Sequence, residues 1–287
     1  MTTHEDRQRV TAPSIAARKR RDGRDPVVMI TAYDTPFARI VDDAGVDAIL
    51  VGDSVADNVL GFEDTLQVGP EQMAHHVAAV ARARPRALVV ADLPWMSYHL
   101  GASEALRNAA LLVRAGADAV KLEGGRRRLP AVQAILDAEI PVMGHLGLTP
   151  QSVHAFGGLK VQARDAEAAA ELVLDAKALA AAGCFALVIE GVPDAVADAV
   201  TATVDVPTIG IGAGPGCDGQ VLVLHDVLGL SARPAPKFVR RYADLASVAR
   251  SAVAGYAADV RSGSFPEDRE TYHASAALRG SLASPGG

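Results

Sequence analysis

Five successive apolar runs in this chain end on residues that can do chemistry. The run at 48–51 continues as Gly52-Asp53-Ser54, and the run at 87–91 ends against Asp92. The run at 119–122 carries Lys121 and meets Glu123, the run at 141–144 meets His145, and the run at 186–189 meets Glu190. Lys121 and Glu123 stand two apart, so on a strand they face the same way. One charge at a strand end is explained as well by the chain meeting water; five in succession argue for a shared site. Asp53, Asp92 and Glu123 offer hard oxygen ligands, which suit Mg²⁺ with retained waters, and neither C-x-x-C nor H-E-x-x-H occurs. A cation held by two carboxylates leaves positions open for a chelating 2-oxo acid. Lys121 would neutralise that acid's carboxylate while the metal stabilises an enolate. The proton then needs a separate base, and Glu190, on another strand beside apolar Ile189, is the best candidate. His145 also has the plainer reading of a rim histidine satisfied by a loop.

Eight short runs must position these groups, at 27–32, 48–51, 87–91, 119–122, 141–144, 186–189, 208–211 and 221–224. They are almost continuously apolar, as parallel strands buried on both faces are, and helical patterns lie between them. Thr35-Pro36 reads as a cap and first helical residue, with Phe37, Ile40, Val41 and Ala44 as the buried stripe and Gly45 as the stop. Met73, Val77 and Val80 form the next stripe, and Leu106, Ala110 and Val113 another. Leu172, Val173, Ala176 and Leu179 share a face of an alanine-rich helix ending at Gly183. The pattern predicts a single-domain (β/α)₈ TIM barrel, with a doubly wound open sheet as the alternative. Residues 1–25 read as an N-terminal extension and helix, 26–270 as the barrel and 271–287 as a disordered tail. A last helix carries Leu245, Val248, Ala252, Tyr256 and Val260.

Composition removes several classes. The 287 residues include 28 Lys and Arg against 34 Asp and Glu, a net charge of −6, which disfavours nucleic acid as a partner. Aromatic residues at 4% leave little to stack on bases, and Cys184 and Cys217 are too few for a disulfide framework. A hydrophobic fraction of 49% excludes disorder over most of the chain. No apolar stretch is long enough to span a membrane, and the first 25 residues lack a signal-peptide core, so a soluble, cytoplasmic protein is expected. The basic runs Arg18-Lys19-Arg20-Arg21 and Arg126-Arg127-Arg128 read as solvated helix surface. Gly214-Pro215-Gly216-Cys217-Asp218-Gly219 spells G-x-G-x-x-G, the mark of a nicotinamide oxidoreductase, but it leads into a strand-like run rather than a helix. A turn closing the rim is the simpler expectation.

The same residues lie in longer motifs that resemble the ketopantoate hydroxymethyltransferase family. They are MITAYD (29–34), VGDSVADNVLGFEDTLQV (51–68), ADLPWMSYH (91–99), AVKLEGG (119–125), GHLGLTPQSVHAFGGLKVQAR (144–164), IEGVP (189–193), GIGAGPGCDGQVLVLHDVLGL (210–230) and PKFV (236–239). The resemblance implies a TIM barrel that transfers a one-carbon unit from 5,10-methylenetetrahydrofolate to 3-methyl-2-oxobutanoate. By the same resemblance Asp53, Asp92 and Glu123 hold Mg²⁺, while Asp53, Ser54, Asp92 and Lys121 contact the 2-oxo acid. Glu190 is then the proton acceptor, and His145, counted with the substrate-binding residues, matches the histidine of the family's G-H-x-G-L-T-P run. A cytoplasmic homodecamer is also implied. A magnesium-dependent lyase or mutase of the phosphoenolpyruvate mutase type is the alternative activity, and a scaffold that has lost catalysis is a third reading. The chain departs from the family pattern at Val55-Ala56-Asp57-Asn58, at Trp95-Met96 in place of Phe-Gly, at Gly191 in place of Cys, and at Ala163 in place of Gly. Trp95, Tyr98 and Phe156 are among the aromatic candidates for the folate pocket, and each reads equally well as loop packing.

Overall fold

A computed structural model describes residues 8–19, 23, 25–231 and 234–283. The chain divides into two compact units, one of residues 1–227 with 231–240 and one of residues 228–230 with 241–287. In the first unit the elements run α1 (Ala12–Ala16), β1 (Val27–Thr31), α2 (Thr35–Asp43), β2 (Ala48–Val51), α3 (Val55–Asn58) and α4 (Pro70–Ala81). They continue with β3 (Leu88–Asp92), α5 (Ala102–Ala115), β4 (Ala119–Glu123), α6 (Leu129–Leu136), β5 (Val142–Gly147) and α7 (Val153–Phe156). The unit is completed by α8 (Ala166–Ala182), β6 (Ala186–Glu190), α9 (Asp194–Thr203), β7 (Thr208–Ile211) and β8 (Gly219–Leu222), with α10 (Leu224–Leu228) running to its edge.

All eight strands are parallel and β8 pairs with β1, closing the expected barrel and excluding the open sheet. Continuous burial along β2, β3 and β4 accounts for their unbroken apolar sequences. The barrel core stacks Met29, Leu50, Leu88, Val90, Met143, Val188, Ile209 and Val221, and its N-terminal mouth is stopped by Ala12 and Ile15 of α1. Thr11 caps that plug, and Lys19 just beyond it is buried, its Nζ 2.7 Å from Asp218 Oδ2 and 3.2 Å from the Val206 carbonyl. Arg18 pairs with Asp47. The first basic run is therefore a fastening of the barrel floor rather than solvated surface; Arg20 and Arg21 lie outside the described residues. In the second run Arg126 pairs with Glu171 and Asp175.

Three further expectations change. The cap of α2 is Asp34, which accepts from the Phe37 N–H at 2.8 Å, while the Thr35 hydroxyl donates to the Ala79 carbonyl. The buried face of α2 is then Ala38, Val41 and Asp42, with Ile40 outside, because the Asp42 carboxylate turns inward to accept from the Arg86 and Ala87 N–H groups. In α5 the buried face is Ala105, Asn108, Ala109 and Leu112: small residues and a polar one bonded to the Ser97 carbonyl face the wall. Third, the run at 214–219 is more than a turn at the rim. Asp218 binds the N–H of Thr208, where β7 begins, and the Val27 N–H donates to the Asp218 carbonyl, so the segment returns to the floor as a helix-free crossover. Gly219 makes the close return feasible, since a Cβ there would stand 2.4 Å from the Val27 carbonyl oxygen.

The second unit holds α11 (Leu245–Ser262) and α12 (Ala276–Ala283), so part of the expected tail is helical. Asp244 caps α11, Tyr256 stacks edge-on against Phe265 at 5.5 Å, and no residue of α11 is buried. Among the described residues no helix is long and apolar enough to cross a membrane.

Candidate active site

The predicted groups converge at the C-terminal rim. Asp92 ends β3 beside Lys121 of β4, Glu123 pairs across the ladder with His145 of β5, and Gly147 pairs with Glu190 of β6. Parallel neighbours project to the same side, so all of these point into the barrel. Asp53 arrives from the turn after β2, its backbone N–H bonded to Asp92 Oδ2 at 3.1 Å. Ser54 is next to it, with its hydroxyl 2.8 Å from the Tyr33 hydroxyl. Gly147, at φ +94, allows Glu190 to come this close: a Cβ there would lie 2.2 Å from the Glu190 carbonyl oxygen.

Contacts run unbroken across the site. Lys121 Nζ lies 2.8 Å from Asp92 Oδ1 and 3.3 Å from His145 Nδ1. His145 Nδ1 is 3.4 Å from Glu123 Oε1, and its Nε2 is 3.2 Å from Glu190 Oε2. Asp53, Asp92, Lys121, Glu123 and His145 are all buried, whereas the Glu190 side chain keeps 16% of its surface exposed. Glu190 is thus the most accessible of the four carboxylates.

Charge balance describes what the site can hold. Burial lowers the Lys121 ammonium, but Asp92, Glu123 and Asp53 around it prevail and raise it, so it stays cationic. Burial and the Lys121 charge likewise pull His145 down, yet its contacts with Glu123 and Glu190 outweigh them and push it up to about 9. Four carboxylates therefore face two cations, a surplus of negative charge in a buried space. Asp53 bears it: burial, then the charges of Asp92 and Glu123, hold its carboxyl well above the usual range. A divalent cation is the species such a surplus accommodates. Among the described residues no three His, Cys, Asp or Glu side chains form a closed ligand set. Asp53 and Asp92 are brought together directly, while Glu123 is engaged by the Gln151 N–H at 3.0 Å and by His145. That donor set fits Mg²⁺, which is commonly bound through one or two carboxylates, waters and substrate oxygens.

Two further residues belong to the site. Gln151, in the turn after β5, donates from Nε2 to Asp53 Oδ2 at 2.8 Å, and Tyr98 donates to Gln151 Oε1. Tyr98 is buried with Arg128 over its ring, so it is no open stacking surface for a folate. Trp95 remains 41% exposed, and its neighbour Met96 adopts φ +65, the left-handed conformation that glycine holds most easily. Ala163 does the same at φ +51. Nothing in the residue types singles out Gln151; its place in the G-L-T-P-Q turn was the only sign.

The model of the ketopantoate hydroxymethyltransferase family matches residues 9–268. The 3-methyl-2-oxobutanoate hydroxymethyltransferase of Koribacter versatilis is 51% identical over 95% of this chain and 92% of that protein. That of Nitratidesulfovibrio vulgaris is 59% identical over 87% of this chain and 82% of its own length. Among solved structures, 2,3-dimethylmalate lyase, a PEP mutase/isocitrate lyase superfamily member, is 19% identical and aligns with a TM-score of 0.58 over 92% of each chain. Phosphonopyruvate hydrolase, solved in complex with oxalate and Mg²⁺, gives a TM-score of 0.59 at 15% identity over 96% of each chain. At those identities the structural likeness establishes the barrel alone.

Proposed function

This chain belongs to the ketopantoate hydroxymethyltransferase family, and from that premise we propose how its rim performs the family's reaction. A hydroxymethyl group passes from 5,10-methylenetetrahydrofolate to 3-methyl-2-oxobutanoate, giving 2-dehydropantoate on the route to pantothenate and coenzyme A. Asp53, Asp92 and Glu123 would hold Mg²⁺. When bound, the ion supplies a Lewis acid that favours negative charge on the substrate's keto oxygen.

Everything else falls to the protein. Lys121, kept cationic by its buried carboxylate neighbours, faces the substrate carboxylate, and Ser54 and His145 complete the binding surface. Glu190 takes the C3 proton onto a carboxylate oxygen, and the electron pair left at C3 forms the new bond to the one-carbon unit. Both carbon–nitrogen bonds of the donor's methylene bridge break, water provides the hydroxyl group, and the C3 proton and the second water proton end on the two nitrogens of the departing tetrahydrofolate. His145, with Nε2 3.2 Å from Glu190 Oε2, faces that carboxylate as it accepts the proton. The observation that carries this reading is the continuous contact chain from Asp53 to Glu190, which ends at its most accessible carboxylate. A homodecameric assembly and cytoplasmic placement complete the proposal, and sedimentation of the purified protein tests the assembly.

The test of function is product formation from 3-methyl-2-oxobutanoate with folate donor and Mg²⁺ supplied together and each omitted in turn. Omission of either should abolish 2-dehydropantoate. Carbon–carbon cleavage of 2-oxo acids without folate would instead favour the lyase or mutase reading.

A further inference from the structure

Gln151 sits in a ring of hydrogen bonds that uses every polar atom of its side chain. Its two amide hydrogens go to Asp53 Oδ2 at 2.8 Å and to the Leu93 carbonyl at 3.0 Å. Its Oε1 accepts the Tyr98 hydroxyl proton, and the Tyr98 oxygen accepts from the Glu123 N–H at 3.2 Å. The backbone N–H of Gln151 returns to Glu123 Oε2 at 3.0 Å. Gln151, Tyr98, Asp53 and Glu123 are all buried, so water cannot substitute for a missing partner at low cost.

This closure permits only one orientation of the amide. Turned over, its oxygen would face both the Leu93 carbonyl and the Asp53 carboxylate, three acceptors together. Its NH₂ would then meet a phenol whose single proton has lost its acceptor. Tyr98 and Leu93 thus decide which way Gln151 points, and Gln151 decides which oxygen of Asp53 is occupied. Side-chain charge matters equally. An Arg or Lys in this place would cancel the negative surplus a divalent cation requires, and a Glu would set a further carboxylate against Asp53. A neutral donor orients without altering charge.

We propose that Gln151, held by Tyr98, is a positioning residue that aims the Asp53 and Glu123 carboxylates at the cation, and so sets metal affinity without touching metal or substrate. This rests on the reading above that Asp53, Asp92 and Glu123 hold the ion. Partners that orient metal ligands typically change affinity by about 10–100-fold when removed. The experiment is a Mn²⁺ titration of full-length protein without substrate, followed by calorimetry or by the paramagnetic resonance of free ion. Unaltered protein, Gln151→Met, Tyr98→Phe and the double variant are compared, each also melted without metal.

Gln151→Met should bind Mn²⁺ about 10–100-fold more weakly. Tyr98→Phe should give a smaller loss of the same kind, and the double variant should match Gln151→Met alone, since Tyr98 acts through Gln151. A merely structural role would lower the melting temperatures while leaving the folded protein's Mn²⁺ affinity unchanged, and that result overturns the proposal. Full additivity of the two losses overturns it as well. Tyr98→Phe removes one oxygen only, so it decides the matter even where Gln151→Met fails to fold: unchanged affinity in that variant refutes the relay. Failure of the unaltered protein to bind Mn²⁺ would instead remove the metal site itself, and this inference with it.

Discussion

Replacing Glu190 by Gln removes a proton acceptor and little else. Glutamine has nearly the same shape, so its amide oxygen can take the place of Glu190 Oε2, 3.2 Å from His145 Nε2. His145 keeps its second carboxylate neighbour, Glu123, and Lys121 keeps Asp92. The perturbation is therefore confined to the step in which the C3 proton leaves. General-base catalysis contributes about 10²–10⁴-fold, so the variant should lose roughly 3–6 kcal/mol of transition-state stabilisation at about 1.4 kcal/mol per decade. The assay separates that step from transfer: 3-methyl-2-oxobutanoate is incubated with protein and Mg²⁺ in D₂O without folate, and exchange at C3 is followed by NMR. Exchange by Glu190→Gln should fall by the same factor as turnover, with substrate affinity kept within a few-fold. Exchange at the unaltered rate would show that another group takes the proton and would refute the assignment.

Other consequences follow from particular contacts. Lys19→Met leaves Asp218 buried without its ammonium partner, which should cost about 3–5 kcal/mol and lower the melting temperature by about 6–20 °C. Activity of the folded protein should survive, because the pair lies at the opposite mouth from the rim; a loss below about 1 kcal/mol would show the pair to be idle. Gly147→Ala places a methyl group against the Glu190 carbonyl and should reduce turnover far more than Mn²⁺ affinity; equal losses in both would argue against local displacement of the base. Met96→Gly relieves a left-handed backbone and should stabilise by about 0.5–1 kcal/mol in urea unfolding, whereas a destabilised variant would mean that the Met96 side chain packs usefully.

The strands and the rim were legible because their signals are local. An uninterrupted apolar run followed by an acid reads the same before and after folding, so Asp92, Glu123 and Glu190 could be placed at strand ends from type and position alone. Helix faces were less legible where alanine dominates: in α5 the buried positions include Ala105 and Ala109, whose hydrophobic signal is weak, and a neutral asparagine is buried among them. Lys19 looked like surface because its partner Asp218 lies far along the chain. Gln151 was invisible for a related reason, since an uncharged amide announces nothing until Asp53, Tyr98 and Leu93 are brought around it.

The fastening of the barrel floor also bears on how the chain is made. Lys19 and Asp218 are 199 residues apart, one just before β1 and the other just before the last strand of the barrel. At translation speeds of about 5–20 residues per second, the ammonium waits roughly 10–40 s for its carboxylate. During that interval the apolar face of the plug, with Ile15 at its centre, has neither a finished floor to stop nor β8 beside β1. Closure of the barrel and seating of its first helix are therefore late events, completed together once the chain from Asp218 through β8 has left the ribosome.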